Sequence, residues 1–229
     1  LPFGTETLDT WEVGLKSDLF DRAMRLNLAG FYSNYNGVQL SLSSCPQFGG
    51  PGPCAVFANA GDARIWGFEV ETTLRPAQGL LKDGSLSYVN FQYKSINPAA
   101  GGPGIPSGPQ LDHVPPYMPA WKWSLGAQYD IRLGAAGTLT PRVDVAFQDE
   151  LWTNAHNRAT NHIPGYTLAN ARLTWRNADE DLEASLEDTN LFDQYYFLTL
   201  FDLTIANAGM ANAQPGRPRE WAVTLKKRF

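Results

Sequence analysis

The chain has 229 residues, enough for one sizeable domain, with 43% hydrophobic residues, 12% aromatic residues and a formal net charge of −5. Mean hydropathy is slightly negative and no segment approaches the ~20 consecutive apolar residues of a transmembrane helix, so in a bilayer the chain must be a barrel. The acidic balance offers no basic stripe to displace counterions, which sets nucleic acid aside as a partner, and the 7 Trp and 9 Tyr suit interfacial aromatic girdles.

The opening Leu1, Pro2 and Phe3 carry no basic stretch or apolar leader, as expected of a processed chain or a fragment. Alternation then begins: Trp11, Val13 and Leu15 oppose Glu12, Gly14 and Lys16, the mark of a strand with unlike faces. That strand is predicted over 8–18 and the next over 24–42, joined by a short turn. A long connection follows over 43–61. Within it Cys45 and Cys54 sit in a Gly/Pro-rich stretch, which fits a local disulfide formed in an oxidising compartment such as the periplasm, or else two free thiols.

A third strand is predicted over 62–75, with Trp66, Phe68, Val70 and Leu74 against Gly67, Glu69, Glu71 and Thr73. After a turn over 76–83, the strand at 84–95 changes phase: Leu86 and Tyr88 alternate one way, Val89, Phe91 and Tyr93 the other, so a bulge is expected there. The segment 96–119 is a long loop, because its Gly101, Gly102 and Gly104 are interrupted by Pro103 and precede no helix. Residues 120–133 give the clearest pattern, Trp121, Trp123, Leu125, Ala127, Tyr129, Ile131 and Leu133 against Lys122, Ser124, Gly126, Gln128, Asp130 and Arg132.

A turn over 134–137 leads to a strand at 138–152, with Leu139, Val143, Val145, Phe147 and Leu151 opposed to Arg142, Asp144, Gln148 and Glu150. Beyond a loop at 153–163, strands follow at 164–176 and 181–189, joined by a short turn. A long loop at 190–216 precedes the last strand, 217–229, with Trp221, Val223 and Leu225 on one face. Short and long connections alternate through all nine strands, as periplasmic turns and extracellular loops do in outer-membrane barrels. The count places the C-terminus in the periplasm. Trp11, Trp66, Trp121, Trp152, Tyr166 and Trp221 then mark the outer interface, with Trp175 and Phe229 at the inner one.

Five segments carry a resemblance: WEVGLK at 11–16, NLAGFYSNYNGV at 27–38, ARIWGFE at 63–69, NLFDQYY at 190–196 and PGRPRE at 215–220, before a terminal aromatic. In this order they resemble the C-terminal barrel strands of TonB-dependent receptors. The resemblance spans essentially the whole chain, 1–229. It implies an all-β fold, an antiparallel transmembrane β-barrel of about 22 strands with a plugged lumen, of which this chain supplies about nine.

The plug, the segment that engages the TonB complex and the first strands would lie outside it. An open sheet leaves two unpaired edges that lipid does not tolerate, so the chain alone is not expected to transport. Asp188 departs from the pattern: an apolar β-branched residue is usual before the NLFD motif, and the strand is expected to turn or end there.

The resemblance implies nutrient uptake, of a ferric siderophore, cobalamin or an oligosaccharide, with outer-membrane lipid and the barrel-assembly machinery as further partners. Ligand contacts would come from aromatic or charged loop residues: Phe48, Phe57, His113, Tyr117, Trp152, His156, His162, Phe197 and Phe201. Val223, Leu225 and Phe229 resemble the signal read by the assembly machinery. No cofactor is called for. No metal site is expected, because His156 and His162 share a loop without a carboxylate at ligand spacing.

Inward Glu69, Glu71, Asp130, Arg132, Asp144, Glu150 and Arg172 are expected to build the polar lumen wall and meet the plug. No G-x-S-x-G, H-E-x-x-H or C-x-x-C motif supports catalysis. A passive porin, an outer-membrane enzyme and a soluble β-sandwich are the alternative readings.

Overall fold

Strict alternation sends all the apolar side chains of a strand to one face, and a chain built from such strands has to form a sheet with unlike sides. The computed structural model describes residues 3–44, 53–103, 108–202, 204 and 209–229, the side chains of 43, 44 and 53–55 excepted. Its strands are β1 (Thr7–Leu19), β2 (Met24–Ser44), β3 (Pro53–Ala77), β4 (Leu80–Ile96), β5 (Trp121–Tyr129), β6 (Ile131–Arg132), β7 (Thr138–Gln148), β8 (Leu151–Trp152), β9 (His162–Ile163), β10 (Tyr166–Arg176), β11 (Leu182–Thr189), β12 (Phe197–Asp202), β13 (Ala211–Pro215) and β14 (Glu220–Lys227).

One antiparallel sheet runs β1-β2-β3-β4-β5-β7-β10-β11-β14, with β6 continuing the line of β5 beside β7. These are the nine expected passes. β8 with β9, and β12 with β13, form two small hairpins outside the sheet. All short connections lie at one end of the sheet, the turn end, and all long ones at the other, the loop end.

Two neighbouring rungs show how unlike the faces are. Leu15, Leu28, Val70, Leu86, Trp123 and Phe147 stand side by side across six strands, and one residue further along so do Lys16, Asn27, Glu71, Ser85 and Ser124. A slip of one residue in any pair would exchange the two sets. The apolar face lies open: Val223 is 69% and Leu225 72% exposed. Leu125, on an interior strand, is 60% exposed as well, and water-soluble monomers rarely present contiguous apolar surface of this kind.

At its loop end this face is edged by packed rings, Trp11 on Tyr32 (6.1 Å), Trp66 on Tyr88 (5.3 Å), Tyr88 on Trp121 (4.5 Å) and Trp123 on Phe147 (5.7 Å). From Trp66 to Leu74 the apolar face of β3 runs eight residue steps, about 26 Å along the strand at ~3.3 Å per step. That matches the apolar band of a membrane barrel.

Several boundaries differ from the sequence reading. The long connection expected over 43–61 is mostly strand, because β2 and β3 run on as a ribbon to Ser44 and from Pro53. The turn expected over 76–83 shrinks to 78–79, since β3 and β4 pair as far as Ala77 and Leu80. The strand expected at 138–152 leaves the sheet at Gln148, so Trp152 sits in the β8–β9 hairpin rather than in the aromatic edge. The long segment 190–216 holds its own hairpin, β12–β13.

The bulge expected in 85–94 falls at the far end, at Lys94, and β3 and β4 pair without a slip from Leu74 and Lys82 to Ala63 and Tyr93. What changes along β4 is the environment. Leu86 and Tyr88 lie in the apolar band, whereas Phe91 and Tyr93, on the opposite face and past the aromatic edge, join a cluster with Val38, Leu40, Leu42, Ala60 and Ala63. Ala100 and Ala155 come from two different long connections to complete it. This buried core lies at the loop end.

Candidate functional site

The polar face is wired by ion pairs that cross strands. Arg142 on β7 holds Asp83 of β4 through two bonds of 2.9 and 3.1 Å, and its own-strand neighbour Asp144 through Nε at 2.9 Å and Nη2 at 2.5 Å. Between them lies β5, where Gly126 leaves the room: a Cβ there would stand 2.4 Å from Arg142 Nη2 and 2.6 Å from Asp83 Oδ2. Further along, Arg172 meets Glu187 at 2.9 Å and Arg176 meets Glu183 at 2.7 Å. Asp130 accepts the Thr140 hydroxyl at 2.7 Å, and Glu71 accepts the Asn27 amide at 3.3 Å.

Above this wall the long connections lock into one body. Asn157 exchanges two bonds with the Val114 backbone (2.8 and 2.9 Å), and Tyr117 N–H donates to Trp152 O (2.8 Å). Tyr117 also pairs its hydroxyl with Thr199 (2.5 Å), and Thr153 donates to Leu200 O (2.7 Å). Buried Asp202 accepts from Thr160, from the Thr204 hydroxyl (2.6 Å) and from the Thr204 N–H (2.8 Å). Burial opposes its charge, but these donors, aided by Arg158, outweigh the burial and hold the carboxyl below its usual range.

The NLFD and PGRPRE segments meet as a clamp. Asn190 is buried in a left-handed conformation (φ 52°). Its Nδ2 donates to Gln194 O (2.9 Å) and Arg217 O (3.1 Å), while its Oδ1 accepts Gln194 N–H (2.8 Å). Asp193 Oδ1 accepts Arg219 N–H (2.9 Å), and Gly216 lies so close under the Tyr196 ring that a Cβ would overlap it at 2.0 Å. The motifs pin the last long connection to the sheet rim.

The TonB-dependent receptor-like β-barrel family model matches residues 2–191. This chain belongs to that family. Among solved structures, the ferric yersiniabactin uptake receptor FyuA from Yersinia pestis superposes with a TM-score of 0.76 at 21% identity, over 100% of this chain and 31% of its own. The siderophore receptor PiuA from Acinetobacter baumannii gives 0.69 at 18%, over 97% and 28%. The ferric citrate transporter FecA in its unliganded form gives 0.66 at 21%, over 97% and 31%. The chain therefore spans about a third of the length of these receptors, and the sheet is a partial barrel. The family is one of outer-membrane transport receptors.

In this family's terms the apolar face is the lipid face and the polar face the lumen wall. Glu69, Glu71, Asp144 and Arg172 lie on that wall, as does Arg132, level with Thr138. Glu150 does not: it lies past the end of β7 and accepts from or pairs with His162 Nε2 at 2.9 Å. The expectation that His162 lacks a carboxylate is thereby corrected, because the β8–β9 hairpin folds the two together across twelve residues. Among the described residues no three metal-ligating groups converge.

Trp152 packs against His162 with the rings tilted (5.0 Å), Phe197 meets Tyr195 edge-on (5.2 Å), and His113 Nδ1 lies 3.2 Å from Ala155 O. His156 is buried, whereas Phe57 and Phe201 are exposed. Phe48, Cys45 and the Cys54 side chain lie outside the described residues. Val223 and Leu225 share the lipid face with Trp221, and Phe229 follows the end of β14.

Asp188 also faces lipid, level with Ala171 and Trp221, and β11 ends one residue beyond it, at Thr189, close to where the sequence reading puts the end. The sequence reading missed its partner: Arg219, from the PGRPRE segment, grips both carboxylate oxygens. The spacing gives no hint of that pair, because a 31-residue excursion separates the two. At the loop end, burial and the adjacent Glu6 carboxylate (2.8 Å) push the Tyr35 hydroxyl up to about 12.

Proposed function

We propose that the chain is the C-terminal part of an energy-coupled outer-membrane importer of a scarce nutrient complex, of the ferric siderophore class ahead of cobalamin or an oligosaccharide. The observation that carries this reading is the pairing of a lipid-type face with an ion-paired polar wall, within a family match that covers most of the chain. The loop end faces the exterior and the C-terminus the periplasm. A plug supplied from outside this chain would meet the wall, and TonB would act through that part.

The loop body, with Phe57, His113, Tyr117, Trp152, His156, His162, Phe197 and Phe201, and with Phe48, would receive the ligand. Cys45 and Cys54 would close a disulfide there. Val223, Leu225 and Phe229 would serve as the assembly signal. Support for uptake by a receptor, over a passive pore, comes from the solved relatives, which include siderophore receptors.

The test is fractionation of the full-length gene product, a heat-modifiability gel shift on the detergent extract, and uptake of labelled ferric siderophores with and without TonB. Outer-membrane recovery, a heat-dependent shift and TonB-dependent uptake are expected. Recovery in the soluble fraction sinks the barrel. A shift with TonB-independent entry points to a porin.

A further inference from the structure

We propose that Arg64 and Lys94 form a site for the phosphate of an anionic lipid headgroup, on the outside of the barrel just beyond the aromatic edge. The proposal rests on the outer-membrane reading above. Arg64 of β3 follows the lipid-face parity of Trp66, Phe68 and Val70 and stands level with Gln92 of β4. Both cations converge on one neutral oxygen: Arg64 Nη2 donates to Gln92 Oε1 at 2.8 Å, and Lys94 Nζ donates to the same atom at 2.7 Å. Arg64 Nε is buried without a hydrogen-bond partner. An arginine fork and an ammonium sharing a single amide oxygen is an arrangement that a phosphate, with three acceptor oxygens and charge, satisfies far better.

Among the described residues no acid forms an ion pair with Arg64 or Lys94. Asp62, the next outward position on β3, is engaged by Ser95 Oγ and Gly37 N–H, each at 3.0 Å. Asp9 lies on the same rung but two strands away, beyond Asn34, and forms no ion pair with Arg64 among the described residues. Arg219, another cation near this rim of the lipid face, is closed onto Asp188.

Height supports the assignment. Arg64 lies two residues past Trp66, about 7 Å further along the strand, and the headgroup layer on each side of the hydrocarbon core is roughly 5–8 Å thick. Trp66, Tyr88 and Trp121 mark the boundary directly below. The bulge at Lys94 brings its ammonium back to Gln92 at that level.

The experiment places the full-length receptor in phosphatidylcholine nanodiscs containing a small fraction of lipid A, of phosphatidylglycerol or of neither, and reads retained lipid by native mass spectrometry. The variants are R64Q/K94Q and, as a control on the same face at the opposite rim, K82Q; a heat-modifiability shift verifies that each is folded. Wild type and K82Q should retain anionic lipid, and R64Q/K94Q should hold it about 30-fold less well, as expected for two basic groups at a membrane surface.

Equal retention by wild type and R64Q/K94Q, or an equal loss in K82Q, overturns the site. So does retention no better than in pure phosphatidylcholine combined with binding of inorganic phosphate, which would assign the cations to free phosphate. Ligand uptake is read separately: a receptor that transports nothing yet loses lipid on R64Q/K94Q defeats the importer reading and leaves the site standing.

Discussion

Replacing Asn190 tests whether the NLFD motif is a clamp. The side chain makes three bonds, to Gln194 N–H, Gln194 O and Arg217 O, at 2.8–3.1 Å in a site 5% exposed. Each bond contributes about 1 kcal/mol net, so Asn190→Ala should weaken the attachment by about 3 kcal/mol, with up to ~1 kcal/mol more for alanine in a left-handed conformation. Asn190→Gly removes the bonds but not the conformational preference, and should fall short of the alanine loss by that last amount. Asn190→Asp keeps the acceptor and turns a second oxygen toward two carbonyls, so it should be no better than alanine.

Local opening of the last long connection is read by limited proteolysis of the folded full-length receptor within 197–216, under conditions where cleavage follows the open population. A loss of about 3 kcal/mol corresponds to roughly 100-fold faster nicking. Cleavage of Asn190→Ala within about threefold of wild type would refute the clamp. An unchanged rate for Asn190→Gly alone would show that the residue serves only its backbone angle.

Gly126→Ala should force apart the Asp83–Arg142–Asp144 cluster, costing about 1–3 kcal/mol by overpacking; urea unfolding of the full-length barrel checks it, and a variant as stable as wild type would show that the cluster shifts freely. Arg219→Gln should lower the folded fraction on heat-modifiability gels by leaving Asp188 uncompensated on the lipid face, and Arg219→Gln with Asp188→Asn should restore it. Tyr35 should titrate late, near pH 12, because burial and Glu6 disfavour its phenolate. Since its folded value is raised above the ordinary 10, the stability it contributes is complete below pH 10 and drains away as pH rises from there through about 12. Tyr35→Phe should remove that phenolate step from the absorbance titration while the step from the more deeply buried Tyr93, raised further by desolvation, persists.

The nine passes and the order of turns and loops were legible because a period of two is a direct record of which face meets lipid, and Trp121 to Tyr129 reads the same in sequence and in space. Where the band ends, the record ends. Phe91 and Tyr93 looked like a change of register only because their face, polar at Glu69 and Ser87, becomes apolar once the ribbon rises into the loop body. Nothing local marks that crossing except the ring row it follows.

The candidate site was less legible, and for one reason throughout. Its contacts join residues far apart in the chain: Tyr117 with Thr199, Thr160 with Asp202, Asp188 with Arg219 and Glu150 with His162. Polar loop residues carry no periodicity, so their partners appear only when the sheet brings the connections to one end. NLFD and PGRPRE, two of the segments that carry the resemblance, lie at such a meeting point, so they are readable in sequence while their task, holding each other, is not. Both segments attach the last long connection to the sheet rim.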